Sequence, residues 1–414
     1  MPRTAWLEID LDAIASNLSL ARELAGPGIS VEPVVKADAY GHGMVPVASA
    51  LVAAGADGLC VAALDEAIAL RAAGIPGRIS VLYPIPPSLA GVAAEHAVGV
   101  AAGDAALLHA LLAAARDREG TLDIELEVET GLGRGGVPVG GVVDAAAAIA
   151  AAPGARLSGV WTHLQASEDR QRTAAQVAAY EAALAALHGA GIDVPRRHVA
   201  ASGALLTQEI PVYDAVRPGL MTYGLLPDEL SPGMVVAAAS RLRPAMSLVA
   251  RPVRVVDLPA GHGISYGPTF ETGRPSRIAT LPLGYGDGWP RSLSNRAEAL
   301  VRGQRVPLVG NVAMDAVMVD VTDVTDVAGQ PVGVDDEFVL LGAQGDERIT
   351  AADLARARTT NSWEVVTATS RRLPRVYDAS AGAVGVRTLI SGEDRWLRSN
   401  SGMATSATSR STRS

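Results

Sequence analysis

Lys36 ends an apolar run, Val34-Val35-Lys36, and is followed by Ala37-Asp38-Ala39-Tyr40 and by Gly41-His42-Gly43, which cannot continue a strand. That pattern describes a buried strand delivering an amine to its own C-terminal end. Burial disfavours the ammonium form, and a neutral lysine amine can attack a carbonyl to form a Schiff base. Other reactive groups recur just after apolar runs: Arg134 in Thr130-Gly131-Leu132-Gly133-Arg134-Gly135, His163 after Trp161-Thr162, Ser202-Gly203, and Arg217 in Arg217-Pro218-Gly219. Singly, each has a plain structural alternative: a snorkelling lysine, a hydrogen-bonding histidine, a loop, a strand-exit turn. Five at equivalent places in one fold shift the balance toward a site.

The elements that must hold these groups alternate. Strand-like runs fall at 31–36, 58–62, 78–83, 97–101, 122–129, 157–163, 197–201 and 213–217, with helical segments such as 64–73, 104–118 and 173–187 between them. Ahead of them, Asp10 or Asp12 caps a helix whose apolar positions Leu11, Ile14, Leu18 and Ala21 recur at helical spacing. Eight strands alternating with helices predict an α/β fold, a (β/α)8 TIM-type barrel. An open doubly wound sheet is the alternative, but no G-x-G-x-x-G follows the first strand. In a barrel, chemistry sits at the C-terminal ends of the strands, where all five groups fall. The loops after the seventh and eighth strands commonly bind phosphate, and the small residues there, with the Ser202 hydroxyl, suit an anion. Residues 228–244 have the texture of a linker. Beyond them the sequence is mostly β, with runs at 246–256, 277–283, 299–309, 316–321 and 337–341, a helix over 353–368, and a closing Arg372–Tyr377 stretch. The expected domains are a barrel over 1–235, a C-terminal β domain over 236–380, and a disordered Ser/Thr/Arg-rich tail over 381–414.

Composition narrows the partners. The 414-residue chain has a net charge of −9 and no basic run, which argues against nucleic acid. The single cysteine, Cys60, lies in an apolar run and permits no disulfide within the chain. The N-terminus carries no apolar signal core and no run is long enough to span a bilayer, so a cytoplasmic protein without membrane contact is expected. The seven histidines (42, 96, 109, 163, 188, 198, 262) show no ligand spacing, and no metal is expected.

Several segments, taken in order, resemble the alanine racemases, pyridoxal-phosphate (PLP) enzymes with a barrel and a C-terminal β domain. These are Val35-Lys36-Ala37-Asp38-Ala39-Tyr40-Gly41-His42-Gly43, Arg217-Pro218-Gly219 with Tyr223-Gly224, Ser265-Tyr266-Gly267 with Thr269-Phe270, Gly284-Tyr285-Gly286-Asp287-Gly288, Met314-Asp315 and Pro374-Arg375-Val376-Tyr377. The resemblance implies that Lys36 holds PLP and acts as one acid/base group, with Tyr266 as the other on the opposite face of the substrate Cα. It places Tyr40, Ser202, Gly219, Leu220 and Tyr377 around the phosphate, and Arg217 at the pyridine nitrogen. His163 continues a hydrogen-bonded chain from Arg217 toward the tyrosine. Arg134 and the Met314 N–H take the substrate carboxylate, and Tyr285 lines the entrance. It further implies a homodimer with shared active sites, in which Tyr266 and Met314 serve the partner, and conversion of L-alanine to D-alanine for peptidoglycan. A racemase of a larger amino acid such as serine, a related decarboxylase and a non-catalytic PLP-binding barrel are the alternatives. Four positions depart from the family pattern. Glu127 stands where many relatives carry a carbamylated lysine, and is expected to orient Arg134 directly. Ala201 replaces an asparagine, Asn311 an arginine, and Ala313 a larger residue, which opens the question of a wider pocket.

Overall fold

The computed structural model describes residues 3–116, 120–380, 382–390 and 395–396. Eight parallel strands form the first domain: Ser30–Val31, Gly58–Val61, Arg78–Val81, Val98–Ala102, Leu122–Glu129, Ala155–Trp161, Arg197–Ala201 and Ala215–Arg217. They follow the predicted runs closely. The ring closes on both sides of the first strand, through Val216↔Val31 and through a bridge between Val34 and Cys60. The expected strand over 31–36 is shorter than predicted. Pro33 has no N–H to give, so the ladder lapses there and resumes with Cys60 N–H to Pro33 O (2.9 Å) and Val35 N–H to Cys60 O (2.8 Å).

Three of the helices outside the ring begin at side-chain caps. Asp10 accepts from Ala13 N–H (2.7 Å) to start Leu11–Ala25, which buries Leu11, Ile14, Leu18 and Ala21 and stops at Gly26, where φ is 89°. Asp104 and Asp169 cap Ala105–Ala115 and Arg170–Gly189 in the same way. No helix among the described residues is long and apolar enough to cross a membrane.

The second domain is built on a mixed sheet, ordered Gln304–Pro307, Glu298–Val301, Phe338–Gln344, Met246–Ala250, Ala5–Asp10, Arg375–Ala379, Gly382–Arg387 and Arg395–Trp396. The N-terminal strand Ala5–Asp10, placed with the barrel by sequence order, lies in the middle of this sheet: Leu7 pairs with Leu248 antiparallel and with Arg375 in parallel. A smaller sheet of Arg254–Leu258, Ser276–Leu281 and Val317–Asp320 packs separately, over Ile264, Ile278 and Val309. The single helix expected over 353–368 is two, Ala351–Arg358 and Ser362–Thr367. Thr359 turns left-handed (φ 60°), and Asn361 caps the second helix on Glu364 N–H (3.0 Å). The expected disorder from 381 onward does not hold for its first part. Gly382–Arg387 folds back on Arg375–Ala379 as an antiparallel strand, because the exposed edge of that strand offers it a ladder. Residues 381, 391–394 and 397–414, also part of that expectation, lie outside the described residues.

Candidate active site

The barrel strands aim their C-terminal ends at one cleft of about 520 Å³. Lys36, Tyr40, Arg134, His163, Ser202 and Arg217 all line it, as do Gly219 and Leu220.

Lys36 opens a turn in which Ala37, Asp38, Ala39 and Tyr40 are all left-handed, with φ of 54°, 56°, 53° and 52°. The turn keeps internal bonds, Ala39 N–H to Val35 O (2.9 Å) and Gly41 N–H to Ala37 O (3.0 Å), and it swings the Tyr40 ring to the far side of the cleft. There the phenol reaches Gly219 so closely that a Cβ on Gly219 would lie 2.8 Å from the Tyr40 oxygen. Ser202 Oγ accepts from Gly219 N–H (2.9 Å) and Met221 N–H (3.2 Å), ordering the loop after the eighth strand. Gly203 is just as confined, since a Cβ there would meet the Ser167 side chain. Bare backbone, a serine and a tyrosine hydroxyl thus face one corner, the composition of a phosphate cradle. Tyr377 lies outside the cleft lining. It is buried under the turn, where Gly43 leaves room for its hydroxyl.

Arg217 is 2% exposed and lies over the Trp161 ring, 4.8 Å from its centre. It donates to Thr162 O (2.9 Å) and His198 O (3.2 Å), and its Nη1 meets His198 Nδ1. Burial, then the charge of Arg217, pushes His198 down to about 3, so its ring is neutral. The other ring nitrogen, Nε2, stands 3.0 Å from Glu125 Oε2. Burial alone would keep Glu125 protonated, but His198, Arg196 and Arg78 hold its carboxyl at about 2. An ionised carboxylate only accepts, so the His198 proton sits on Nε2 and Nδ1 offers its lone pair to Arg217. Arg196 then joins Glu125 (3.2 Å) to Glu32. The sequence reading passed over His198 and Glu125. The available signal was the alternation Asp123, Glu125, Glu127, Glu129 along a barrel strand, which puts all four acids on one face, opposite Leu122, Ile124, Leu126 and Val128.

Arg134 pairs with Glu127 (3.2 Å), as expected, and lies 5.0 Å from the centre of the Tyr83 ring. The Lys36 amine is 5.7 Å from the centre of the same ring, so Tyr83, also unanticipated, is a neighbour of both cations. His163 is pushed down to about 3, first by burial and then by Arg217, Arg134 and Lys36; it too is a neutral ring at the cleft.

Besides Tyr377, three predicted site residues do not join the cleft of their own chain. Tyr266, Met314 and Tyr285 are 80%, 52% and 45% exposed, all on the second domain. They are nevertheless ordered. Asn311, one of the departures from the family pattern, donates to Tyr266 O (2.9 Å) and Gly267 O (3.0 Å), and Ser265 Oγ donates to Asn311 O (2.6 Å). Tyr285 N–H bonds to Ala313 O (3.1 Å) and Gly286 N–H to Met314 O (3.0 Å), joining the Tyr285 and Met314 segments.

Comparison with known proteins agrees with this geometry. The family description "Alanine racemase, N-terminal domain" matches residues 9–227, and "Alanine racemase, C-terminal domain" matches residues 245–377. The alanine racemase of Symbiobacterium thermophilum is 43% identical over 378 residues, 91% of this chain and 97% of that protein. The crystal structure of alanine racemase from Bacillus anthracis with bound L-Ala-P superposes with a TM-score of 0.87 at 34% identity, over 94% of this chain and 99% of that one. A histidine racemase from Leuconostoc mesenteroides also superposes, with a TM-score of 0.81 at 29% identity over 91% of this chain and 98% of that one. Barrel, second domain and cleft together make the chain a member of the alanine racemase family, the PLP-dependent isomerases of alanine.

Proposed function

We propose that this alanine racemase moves protons with Lys36 on one face of the substrate Cα and Tyr266 on the other, Tyr266 coming from a second copy of the chain. The observation that carries this is a separation: Lys36 opens into the cleft, while Tyr266 stands 80% exposed on the second domain, with its backbone pinned by Asn311. A fixed but uncovered tyrosine of this kind suits a site completed in a homodimer.

The cleft fits PLP. The Tyr40–Ser202–Gly219–Leu220 corner suits its phosphate, with Tyr377 supporting the turn from below, and Lys36 is placed for its aldehyde. When bound, PLP draws electrons away from the substrate Cα–H bond. Lys36 Nζ takes or returns the Cα proton on its face, and Tyr266 Oη does so on the other, the roles exchanging with direction. Arg217 keeps its proton and would donate a hydrogen bond to the pyridine nitrogen; a ring left unprotonated there would withdraw electrons less, which would disfavour side reactions. Arg134, steadied by Glu127, binds the carboxylate with the Met314 N–H of the second copy, and Tyr285 narrows the entrance. His163, neutral, takes no charge from the site. The buried free thiol of Cys60 accords with a reducing cytoplasm, where the enzyme supplies D-alanine for peptidoglycan. Family membership sets aside the decarboxylase and non-catalytic alternatives.

Complementation tests the assignment. Lys36→Ala and Tyr266→Phe proteins are each expected to be inactive. Dissociated and reassembled together, half the dimers are mixed and each has one intact site, so about a quarter of the sites recover. No recovery would mean that Tyr266 serves its own chain or has no role. Deuterium uptake at Cα from D2O, followed by proton NMR with L-alanine, L-serine and L-histidine, separates an alanine enzyme from one with a wider pocket.

A further inference from the structure

The turn that carries Lys36 is held against its own backbone preference. Four consecutive non-glycine residues, Ala37 to Tyr40, lie in the left-handed region, which L-residues keep only where their surroundings impose it. Three contacts from outside the turn impose it here. Glu66 Oε1 accepts from Ala37 N–H (2.6 Å). Arg375 Nε donates to Gly41 O (2.8 Å). Arg387 grips both oxygens of Asp38, Nη1 to Oδ1 at 3.0 Å and Nη2 to Oδ2 at 2.8 Å. Asp38 Oδ1 also accepts from Met44 N–H (2.9 Å), so one carboxylate ties the turn to the helix that follows it.

Arg387 ends the strand Gly382–Arg387 and stands directly opposite Arg375 across the hairpin, so both arginines project from the same face of the ribbon onto the turn. The ion pair is mostly shielded from water, with 16% and 18% of its two side chains exposed. Planar, bidentate pairing fixes orientation as well as distance, which a single contact would not.

We propose that Arg387 is a positioning residue for Lys36, and that the C-terminal hairpin latches the cofactor-lysine turn through Asp38. The inference rests on Lys36 as the cofactor lysine. It gives the strand Gly382–Arg387 a task in the site: it holds from behind the backbone whose strained shape points the amine into the cleft. Without Arg387, Asp38 keeps its bond to Met44 N–H but loses its long-range partner, and the turn is free to relax toward ordinary backbone angles.

The test uses full-length Arg387→Met and Arg387→Lys, with Asp38→Asn and the Arg387→Met/Asp38→Asn double variant. PLP affinity is titrated into the apoprotein by protein-fluorescence quenching. Amide hydrogen exchange of residues 37–43 is followed in the apoprotein, and thermal unfolding reports overall stability. Arg387→Met is expected to weaken PLP binding about tenfold and to speed exchange in the turn, with exchange in the barrel strands unchanged. Arg387→Lys, a point charge without the fork, is expected to recover part of the affinity. The double variant is expected to lose no more than the worse single variant, because the two changes break one interaction. A lower thermal midpoint in Arg387→Met with PLP affinity and turn exchange both unchanged would overturn the proposal and leave the hairpin a structural strand only. Retention of covalent PLP by Lys36→Ala would instead sink the lysine assignment, while the exchange rates would still decide whether Arg387 holds the turn.

Discussion

Replacing Glu127 by glutamine is expected to raise the KM for alanine about tenfold while leaving kcat nearly unchanged. Glu127 is 4% exposed, and its Oε1 lies 3.2 Å from Arg134 Nη2. A hydrogen bond to a charged group contributes about 1.5–3 kcal/mol; with glutamine the bond keeps the arginine's charge but loses the carboxylate's, which costs part of that, roughly 1–2 kcal/mol. Arg134 is about a third open to solvent, which places the effect toward the lower half of that range, near tenfold. The loss falls on KM because, in the proposed role, Arg134 would hold the carboxylate equally before and during proton transfer. Stability is expected to move the other way or not at all. Burial raises the Glu127 carboxyl above its ordinary value, more than Arg134 lowers it, so the charged form is a cost to the fold. A raised carboxyl contributes stability in acid that is lost as pH rises through its folded pKa, and glutamine removes that dependence. The assay is initial rates over a range of alanine concentrations in both directions, with products resolved by chiral chromatography, between pH 5 and pH 9. In the wild type KM climbs at the acid end as Glu127 takes up a proton; in Glu127→Gln it is high throughout. An unchanged KM, or a fall in kcat at constant KM, would refute a direct hold of Glu127 on Arg134.

Three further outcomes follow from the same structure. Glu125→Gln leaves Arg196 without one of its two buried partners, and is expected to lower unfolding free energy by about 3–5 kcal/mol in urea titrations; a change within error would show that the interior charges are not anchored through Glu125. His42, His163 and His198 are held near 4, 3 and 3 by burial, well below 6.5, so each binds a proton on unfolding. Their stabilising effect is complete above the unfolded value and is lost as pH falls toward the folded ones. The unfolding free energy of the apoprotein should therefore drop by up to about 4 kcal/mol per pH unit below pH 6.5, and a flat profile between pH 7 and pH 5 would contradict buried neutral rings. Asn311→Ala removes two bonds to the Tyr266–Gly267 backbone; kcat is expected to fall about tenfold with PLP affinity unchanged, and loss of PLP instead would place Asn311 in a different role.

Local periodicity made the barrel legible. Most of its strands are short apolar runs bounded by turn residues, and the first falls short of its expected length at Pro33; in the second domain the expected helix breaks at Thr359. The cleft was legible for the same reason: once the strands are placed, Lys36, Arg134, His163, Ser202 and Arg217 must share a face. What escaped depends on partners distant in sequence. Glu125 meets Arg196 and His198 more than seventy positions away, and an acid on an alternating strand looks solvated until the ring is seen to close around it. Arg387 meets Asp38 across 349 positions, from a strand whose own sequence, Gly-Ala-Val-Gly-Val-Arg, lacks the alternation that announces a half-buried strand. The exposed placement of Tyr266 is also silent in the sequence, because nothing in Ser265-Tyr266-Gly267 marks the ring as buried or open.

These distant contacts share a logic. Each cation that reaches the cleft is anchored on its far side by a carboxylate that never reaches it. Glu127 backs Arg134, Glu125 backs Arg217 through the oriented ring of His198, and Asp38 with Glu66 fixes the turn beneath Lys36. Buried charges of this kind are poor value as stability alone, since well-packed apolar side chains of similar size serve as well or better. They do fix direction. An arginine with one end held can rotate very little, and a binding group fixed before its ligand arrives loses less entropy on contact. The interior charges of this barrel are therefore better explained by the aim of three side chains than by the stability of the fold. That explanation has a consequence: apolar replacement of the whole Glu32–Glu125–Arg196 cluster should leave the barrel folded, or more stable, while Arg217 loses its orientation and the enzyme its selectivity for racemisation over side reactions.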